Sequence, residues 1–499
     1  MRLINNYGGN HMTLKKIAKK AVAVALSVAL LGSMVGCGAG GGQAADPSKA
    51  TEVPDYSDSN ARMNMYAYVG PTPGNYTTAA GQQVFGGDNR SVETYQEYKD
   101  CGFDTLLLLG NDAYSGENFE TSDLKMNLDL CEQVGLKTIV FDVRLHDLSA
   151  NTESLIGEGK EFATMEALTA HVRACMEPYM GHAAFYGVGL VDEPSHNQFD
   201  ALGEVTKAVK TVSEDIFVHT VMLPYLAGVT IDRYTGASFG DVSIKSYKTY
   251  INDYLEKSGA DYFGYDNYPF KEEGLLDSYF RNLQVAVTEA ATHNADVVLT
   301  GQSCEMLGQY RSQTETDFRY QGNVALAFGV KNLLYYTYWM FPNRVKENYV
   351  TAIMDDDGTK MLYDEVQKVN LEIQEMAKVL LHFDYEKAAF TYDRENAVTA
   401  PAYFSGVKSD ELDGLTINHV SQPTMVSQLT DSEKNLTGYM VMNISEPNDK
   451  LENEVEVKFE GYDYATVYTK GVPETVGLAD GVLKVTLGCG EAVFVIPHE

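Results

Sequence analysis

Asp192, Glu193 and Pro194 follow directly on the apolar run Ala183–Val191, AAFYGVGLV. Two carboxylates at the end of such a run are candidates for proton transfer, because the strand holds the side chain in place while its charged head stays reachable. An apolar run containing glycines and no polar alternation reads as a strand buried on both faces, as in a parallel sheet. Parallel α/β sheets and barrels place their chemistry at the carboxyl ends of the strands. Glu193 is therefore the first candidate catalytic acid. The rest of the chain must supply the barrel, a second carboxylate and a surface for substrate.

Positioning elements are legible on both sides of this stretch. Apolar runs at 64–70, 103–110, 136–144, 183–194, 216–224, 261–270, 296–305 and 332–342 alternate with helical patterns at 91–100, 123–133, 165–180, 199–214, 247–257, 277–293, 314–329 and 364–381. Eight strand-helix units in this order predict an α/β fold, a (β/α)8 TIM barrel spanning 59–383. A doubly wound open sheet would carry a glycine-rich phosphate turn after its first strand, and Gly70-Pro71-Thr72-Pro73-Gly74 is not one. Beyond Asp384 the period changes to short strand-like runs separated by turn residues. A small antiparallel β-sandwich is expected over 384–499.

In such a barrel the residues ending each strand converge on one pocket. They are Asp112 on strand two, Asp142 and Arg144 on strand three, and Asp192 and Glu193 on strand four. Strand six adds Asp266, Asn267 and Tyr268, strand seven Gln302 and Glu305, and strand eight Tyr338 and Trp339. The set is rich in acids and aromatics and poor in bases. No Ser sits in a Gly-x-Ser-x-Gly elbow and the histidines form no metal-type pair, so neither a metal nor a cofactor is expected. Acids with aromatics suit cleavage of a glycosidic bond in a carbohydrate substrate. One carboxylic acid protonates the departing oxygen while a second stabilises or attacks the oxocarbenium-like centre. An aromatic face such as that of Trp339 can stack on a sugar's C–H surface.

Composition narrows the partners. The 499 residues are 44% hydrophobic and 22% charged, ordinary globular usage with room for two domains. With 70 Asp+Glu against 38 Lys+Arg the formal charge is −32, which argues against a nucleic-acid partner and fits a neutral ligand better. Cys101, Cys131, Cys175, Cys304 and Cys489 are widely spaced, with no CxxC pattern. They read as buried apolar residues, not as a disulfide framework or a zinc site. Nothing in the sequence addresses oligomeric state.

The amino terminus reads as an address. Lys15, Lys16, Lys19 and Lys20 precede an apolar run from Ala21 to Leu31, followed by Gly32-Ser33-Met34-Val35-Gly36-Cys37. This is a positively charged region, a hydrophobic region too short to span a membrane comfortably, and a small-residue cleavage site. Met-Val-Gly-Cys resembles the bacterial lipobox, with Met34 where leucine is usual. The resemblance implies a signal peptide over 1–37, lipidation of Cys37 and an extracytoplasmic chain anchored to the cell membrane. Residues 38–58, opening with Gly38-Ala39-Gly40-Gly41-Gly42, read as a flexible tether.

The chain also resembles the retaining (β/α)8 glycoside hydrolases that carry an Asn/Asp-Glu-Pro acid/base motif on strand four and a nucleophilic Glu after strand seven. Gly189-Leu190-Val191-Asp192-Glu193-Pro194, Tyr265-Asp266-Asn267-Tyr268-Pro269 and Tyr338-Trp339 carry the likeness, together with the appended sandwich. The resemblance implies that Glu193 is the acid/base, that Asp192 sets its hydrogen bonding, and that Tyr268 lies near the nucleophile. Strand seven departs from the pattern. Val297-Val298-Leu299-Thr300-Gly301-Gln302 puts an amide where Glu is expected, and an amide cannot form a glycosyl ester. Glu305 follows three residues later, on the opposite face unless the chain turns. Three readings stay open. Glu305 is a displaced nucleophile, Asp266 is the base of an inverting pair, or the barrel binds glycans without cleaving them.

Overall fold

The computed structural model describes residues 44–499 apart from 57–58, 78–82, 85–86, 109–112, 226–243, 341–347 and 398. Cys37, the signal segment and Asp112 lie outside the described residues. The barrel strands are β1 (Asn64–Tyr68), β2 (Thr105–Leu108), β3 (Lys137–Phe141), β4 (Phe185–Gly189), β5 (Phe217–His219, resuming as Val221–Met222), β6 (Tyr262–Asp266), β7 (Asp296–Gln302) and β8 (Asn332–Tyr336). All neighbouring pairs are parallel, and β8 returns to β1 in the register Asn64↔Asn332 to Ala67↔Tyr335. The one-residue interruption at Thr220 splits β5 into two halves. The first pairs with β4 and the second with β6, so the barrel closes across a broken stave.

Glycines on both flanks permit this closure. A Cβ on Gly187 would stand 2.2 Å from the Phe217 carbonyl oxygen, and one on Gly264 would stand 2.5 Å from that of Thr220. Either alanine would force β5 outward. Strand alternation turns Tyr66, Leu107, Ile139, Phe217, Val298 and Leu334 into the barrel interior, where they form a closed apolar cluster. Fully burying side chains of this size contributes about 1.5–3 kcal/mol each. This plug fills the barrel interior, so the pocket at the carboxyl-end mouth lies above it.

The surrounding helices are α1 (Val92–Asp100), α2 (Asp123–Val134), α3 (Val143–Ser149), α4 (Met165–Met176), α5 (Phe199–Val212), α6 (Ile244–Ser258), α7 (Tyr279–Thr292), α8 (Glu315–Ala327) and α9 (Tyr363–Leu380). Ser91 caps α1 by accepting from Thr94 N, as its position before the helical pattern predicts. The short α3 falls where the sequence reads as continuing strand: the apolar run through Val143 hides that Asp142 accepts from Arg144 N and starts a helix.

The carboxyl-terminal part is a sandwich of two antiparallel sheets. Its strands are β9 (Asp384–Thr391), β10 (Leu415–Val420), β11 (Thr424–Asp431), β12 (Leu436–Asn443), β13 (Asn453–Phe459), β14 (Tyr464–Thr469), β15 (Val472–Gly477), β16 (Val482–Leu487) and β17 (Ala492–His498). One sheet runs β9-β11-β12-β17-β14-β15 and the other β10-β13-β16. Val441, Val467 and Val495 of the first meet Val457, Phe459 and Val485 of the second. The sandwich is fastened to the barrel through α8. Tyr320 donates to the Ile444 carbonyl (3.2 Å), Asn323 to that of Gly490 (2.9 Å), and Arg311 bridges Asp317 and Glu446.

The described end of the expected tether is not loose. Thr51 N donates to the Glu499 carbonyl (2.7 Å), and Tyr56, buried, donates to Asp431 (3.1 Å) beneath the Lys434 ammonium. The polar composition of this segment conceals one aromatic anchor, and that anchor holds it to the sandwich. The five cysteines are buried and unpaired with one another. No described helix is long and apolar enough to cross a membrane.

Candidate active site

The segment following β4 is fixed atom by atom. Leu190 N donates to the His219 carbonyl (2.8 Å), Val191 N to Ser149 Oγ (3.1 Å) and Glu193 N to the Val221 carbonyl (2.8 Å). Tyr250 donates to the Pro194 carbonyl (2.6 Å), and Ser195 with Gln198 forms a capping box that opens the next helical segment. Glu193 has φ 45°, in the left-handed region that non-glycine residues occupy at a cost of about 1–2 kcal/mol. The strained turn re-aims its carboxylate after the strand has ended.

Glu193, Asp192 and Asp266 line one cavity of about 340 Å³ at the mouth of the barrel, within the size range of small-molecule sites. Asp266 ends β6 and is paired in register with Thr300 of β7, which also lines the cavity. Burial, followed by the charges of Glu193 and Asp192, raises the Asp266 pKa well above the ordinary carboxylate value; its Oδ1 is buried with no hydrogen-bond partner among the described residues. Asp192, open to the cavity, is pushed up to about 6 by the surrounding protein and by Glu193, against the opposing pull of His146. Three carboxyl groups that share so small a space disfavour one another's ionisation, which adds to burial in raising Asp192 and Asp266.

Tyrosines form the walls. Tyr68 and Tyr336 have centroids 4.9 Å apart, Tyr336 and Tyr268 5.6 Å, and Tyr268 and Tyr310 5.5 Å. Tyr336 and Tyr349 share a hydroxyl contact of 2.7 Å. The Tyr336–Thr337 peptide bond is cis. These rings offer flat apolar faces with polar edges, the surface a sugar ring needs.

Other strand-end residues are employed elsewhere. Asp142 is fully buried and accepts from Arg144 Nε (2.9 Å), Arg144 Nη2 (2.6 Å) and the Tyr179 hydroxyl (2.9 Å). Arg144 also donates to the Cys175 carbonyl and lies over the Tyr114 ring, and neither partner of this pair lines the cavity. Gln302 is buried: its Oε1 accepts from Phe270 N (2.9 Å) while its Nε2 faces the carbonyls of Phe270, Cys304 and Arg311. The chain does turn after it. Glu305 begins a two-residue strand (Glu305–Met306) paired with Tyr349–Thr351, and Met306, not Glu305, lines the cavity. Asn267 lines the cavity and donates to the Tyr279 carbonyl (3.3 Å). Tyr338 stacks on Tyr98 at 3.8 Å in the core, and the buried Trp339 donates its indole N–H to Thr72 (2.6 Å). Trp339 therefore has no free face for a ligand.

Sequence reasoning did not single out Tyr68, Lys271, Thr300, Tyr310, Tyr336 or Tyr349. Two were accessible by the same logic: Tyr68 ends β1, and Tyr336 has the parity of the interior Leu334, whereas Tyr338 lies beyond the strand. Tyr310 reaches the cavity from a loop and Tyr349 from the short strand Tyr349–Thr351 outside the barrel, and neither carries a periodic signal. Among the described residues, no group of His, Cys, Asp and Glu is arranged to hold a metal ion.

No protein-family model matches the chain, and no curated protein matches it in sequence. Among solved structures it is similar to one titled simply a glycoside hydrolase, at 11% identity over 88% of this chain and 92% of that one, TM-score 0.48. It is similar to the α-amylase of Geobacillus thermoleovorans at 13% identity over 88% and 98%, TM-score 0.43. It is similar to an endoglucanase of Pseudomonas stutzeri at 14% identity over 61% and 93%, TM-score 0.40. Likeness this distant says nothing of the chemistry; the barrel itself stands on the strand register.

Proposed function

We propose that the chain is a glycoside hydrolase that cleaves oligo- or polysaccharide with Glu193 and Asp266 as its working carboxyl pair. The observation that carries this reading is the convergence of Glu193, Asp192 and Asp266 on one tyrosine-walled cavity at the barrel mouth. Burial raises the Asp266 pKa, which suits it to protonate the departing glycosidic oxygen as the C1–O bond breaks. Glu193 then serves as the carboxylate that attacks C1 or takes the proton from the water that does. The reverse assignment, Glu193 as proton donor, is the one the strand-four resemblance implies.

A panel of aryl and natural glycosides separates the two assignments. The variant lacking the donor keeps activity on substrates whose leaving group needs no proton, and the variant lacking the base or nucleophile regains activity with added azide. Full activity in both Glu193→Gln and Asp266→Asn overturns the proposal. A second reading, a glycan-binding barrel without turnover, is favoured by one observation: β7 gives the cavity Thr300 and no carboxylate, while Gln302 is committed to backbone. Glycan binding by the wild type without release of reducing ends decides for it.

We also infer that Cys37 carries a lipid anchoring the protein to the outer face of the bacterial cell membrane. Fatty-acid labelling that persists in Cys37→Ser overturns this part alone.

A further inference from the structure

Lys271 is the one basic residue among those described as lining the cavity, and the proposed chemistry leaves it unused. Its backbone is held on two sides, by the antiparallel pairing Lys271↔Gly274 and by a bridge to Tyr310. The preceding Phe270 is pinned through both backbone groups by the Gln302 carboxamide. Gln302 thus fixes the turn that carries Lys271 to the cavity wall.

The ammonium lies 5.7 Å from the centroid of the Tyr310 ring, a cation–π placement. Among the described residues no carboxylate pairs with it, although Glu272 and Glu273 follow it in sequence and three acids line the same cavity. Glu272 is turned away, accepting from Gly308 N (2.7 Å). A half-buried cation on a rigid turn, aimed along an aromatic wall and left without a counter-charge, is suited to receive one from the ligand.

We propose that the sugar bound in this cavity bears an anionic substituent, a carboxylate or a sulfate ester, which pairs with Lys271. This rests on the reading of the cavity as a carbohydrate site and names its substrate class. The chain's net charge of −32 does not oppose such a ligand inside the cavity. Surface charges more than about 8 Å away are largely screened at physiological ionic strength, whereas a direct contact in a partly enclosed site is not.

The test uses the full chain and matched 4-methylumbelliferyl glycosides: hexosides, the corresponding hexuronides, and hexose 6-sulfates. Binding is measured in Glu193→Gln and turnover in wild type. One anionic member is expected to exceed its neutral twin, the uronide arm and the sulfate arm showing which anion is read. Lys271→Met is expected to lower kcat/KM, or affinity, for that member by about 10- to 100-fold while leaving the neutral twin within about 2-fold, with Lys271→Arg restoring most of the loss. Turnover of neutral glycosides with no anionic preference overturns this proposal and leaves the hydrolase reading intact. Binding without turnover that depends on Lys271 does the opposite. Equal binding of charged and neutral members, or binding of neither, overturns it.

Discussion

Asp142 and Asp266 stand at the ends of two staves of one barrel, and the protein uses them differently. Asp142 is met by an arginine fork, a tyrosine hydroxyl and the amide of a helix it starts. Every lone pair has a donor, and the charge is neutralised where it stands. Among the described residues Asp266 has no arginine or lysine paired with it, two further carboxyl groups near it, and one oxygen without a hydrogen-bond partner. The first environment makes an aspartate into a fastening. The second is what the proposed proton transfer from Asp266 requires. Residue type is shared; surroundings decide the role.

The contrast can be broken most forcefully at the chemistry. Glu193→Gln and Asp266→Asn are each expected to lower kcat by about 10²–10⁴-fold with the thermal unfolding midpoint little changed, as general acid–base contributions of this kind do. Asp142→Ala should behave in the opposite way. It leaves the partly buried Arg144 without its carboxylate and removes a helix cap, so we expect a loss of about 3 kcal/mol in a denaturant titration, with any kcat/KM of the folded protein nearly unchanged. If Asp142→Ala proves catalytically dead but fully stable, the distinction drawn between the two aspartates is wrong.

Gln302→Glu probes the same contrast on β7. A carboxylate there would face the carbonyls of Phe270, Cys304 and Arg311 with no proton to donate. Destabilisation of about 2 kcal/mol and no gain in turnover is the expected outcome; a more active enzyme would show that the position does reach the substrate.

A smaller effect is expected from pH. Asp192 in the folded chain has its pKa raised from 3.8 to about 6. An acid shifted upward holds its proton longer in the folded state, so its stabilising contribution is complete below about pH 4 and is lost as pH rises to about 6. Melting scans across this window should show stability falling with pH more steeply in wild type than in Asp192→Asn. Equal slopes would place the shift elsewhere. The smallest change is expected for Glu305→Gln, which should stay within about 3-fold of wild-type kcat because its neighbour Met306 faces the cavity in its place.

The alternation of buried strands and amphipathic helices was legible because burial on both faces demands continuous apolar runs, and β4 with its Asp-Glu-Pro end could be located from those runs alone. What failed was the assumption that every strand-end residue points into the mouth. Trp339 and Tyr338 belong to chain that has already left β8 and packs into the core. Arg144 lies on a helical turn, not on a strand. Parity predicts facing only while the strand lasts, and a sequence does not mark the residue at which a short strand stops.

By itself, then, the sequence determined the barrel, the sandwich and the position of Glu193, since these follow from local periodicity and from the need to bury apolar surface. Tertiary structure alone decided which acids meet. Asp266 and Glu193 come from strands that are not neighbours in the barrel, and Tyr310, Tyr349 and Lys271 reach the cavity from a loop, a short strand and a short hairpin outside it. Their convergence depends on barrel closure across the broken β5, on two glycines that let it close, and on the Gln302 carboxamide that pins the Phe270–Lys271 turn. Contacts between residues far apart in the chain have no periodic signature, so they become visible only when the backbone has been closed.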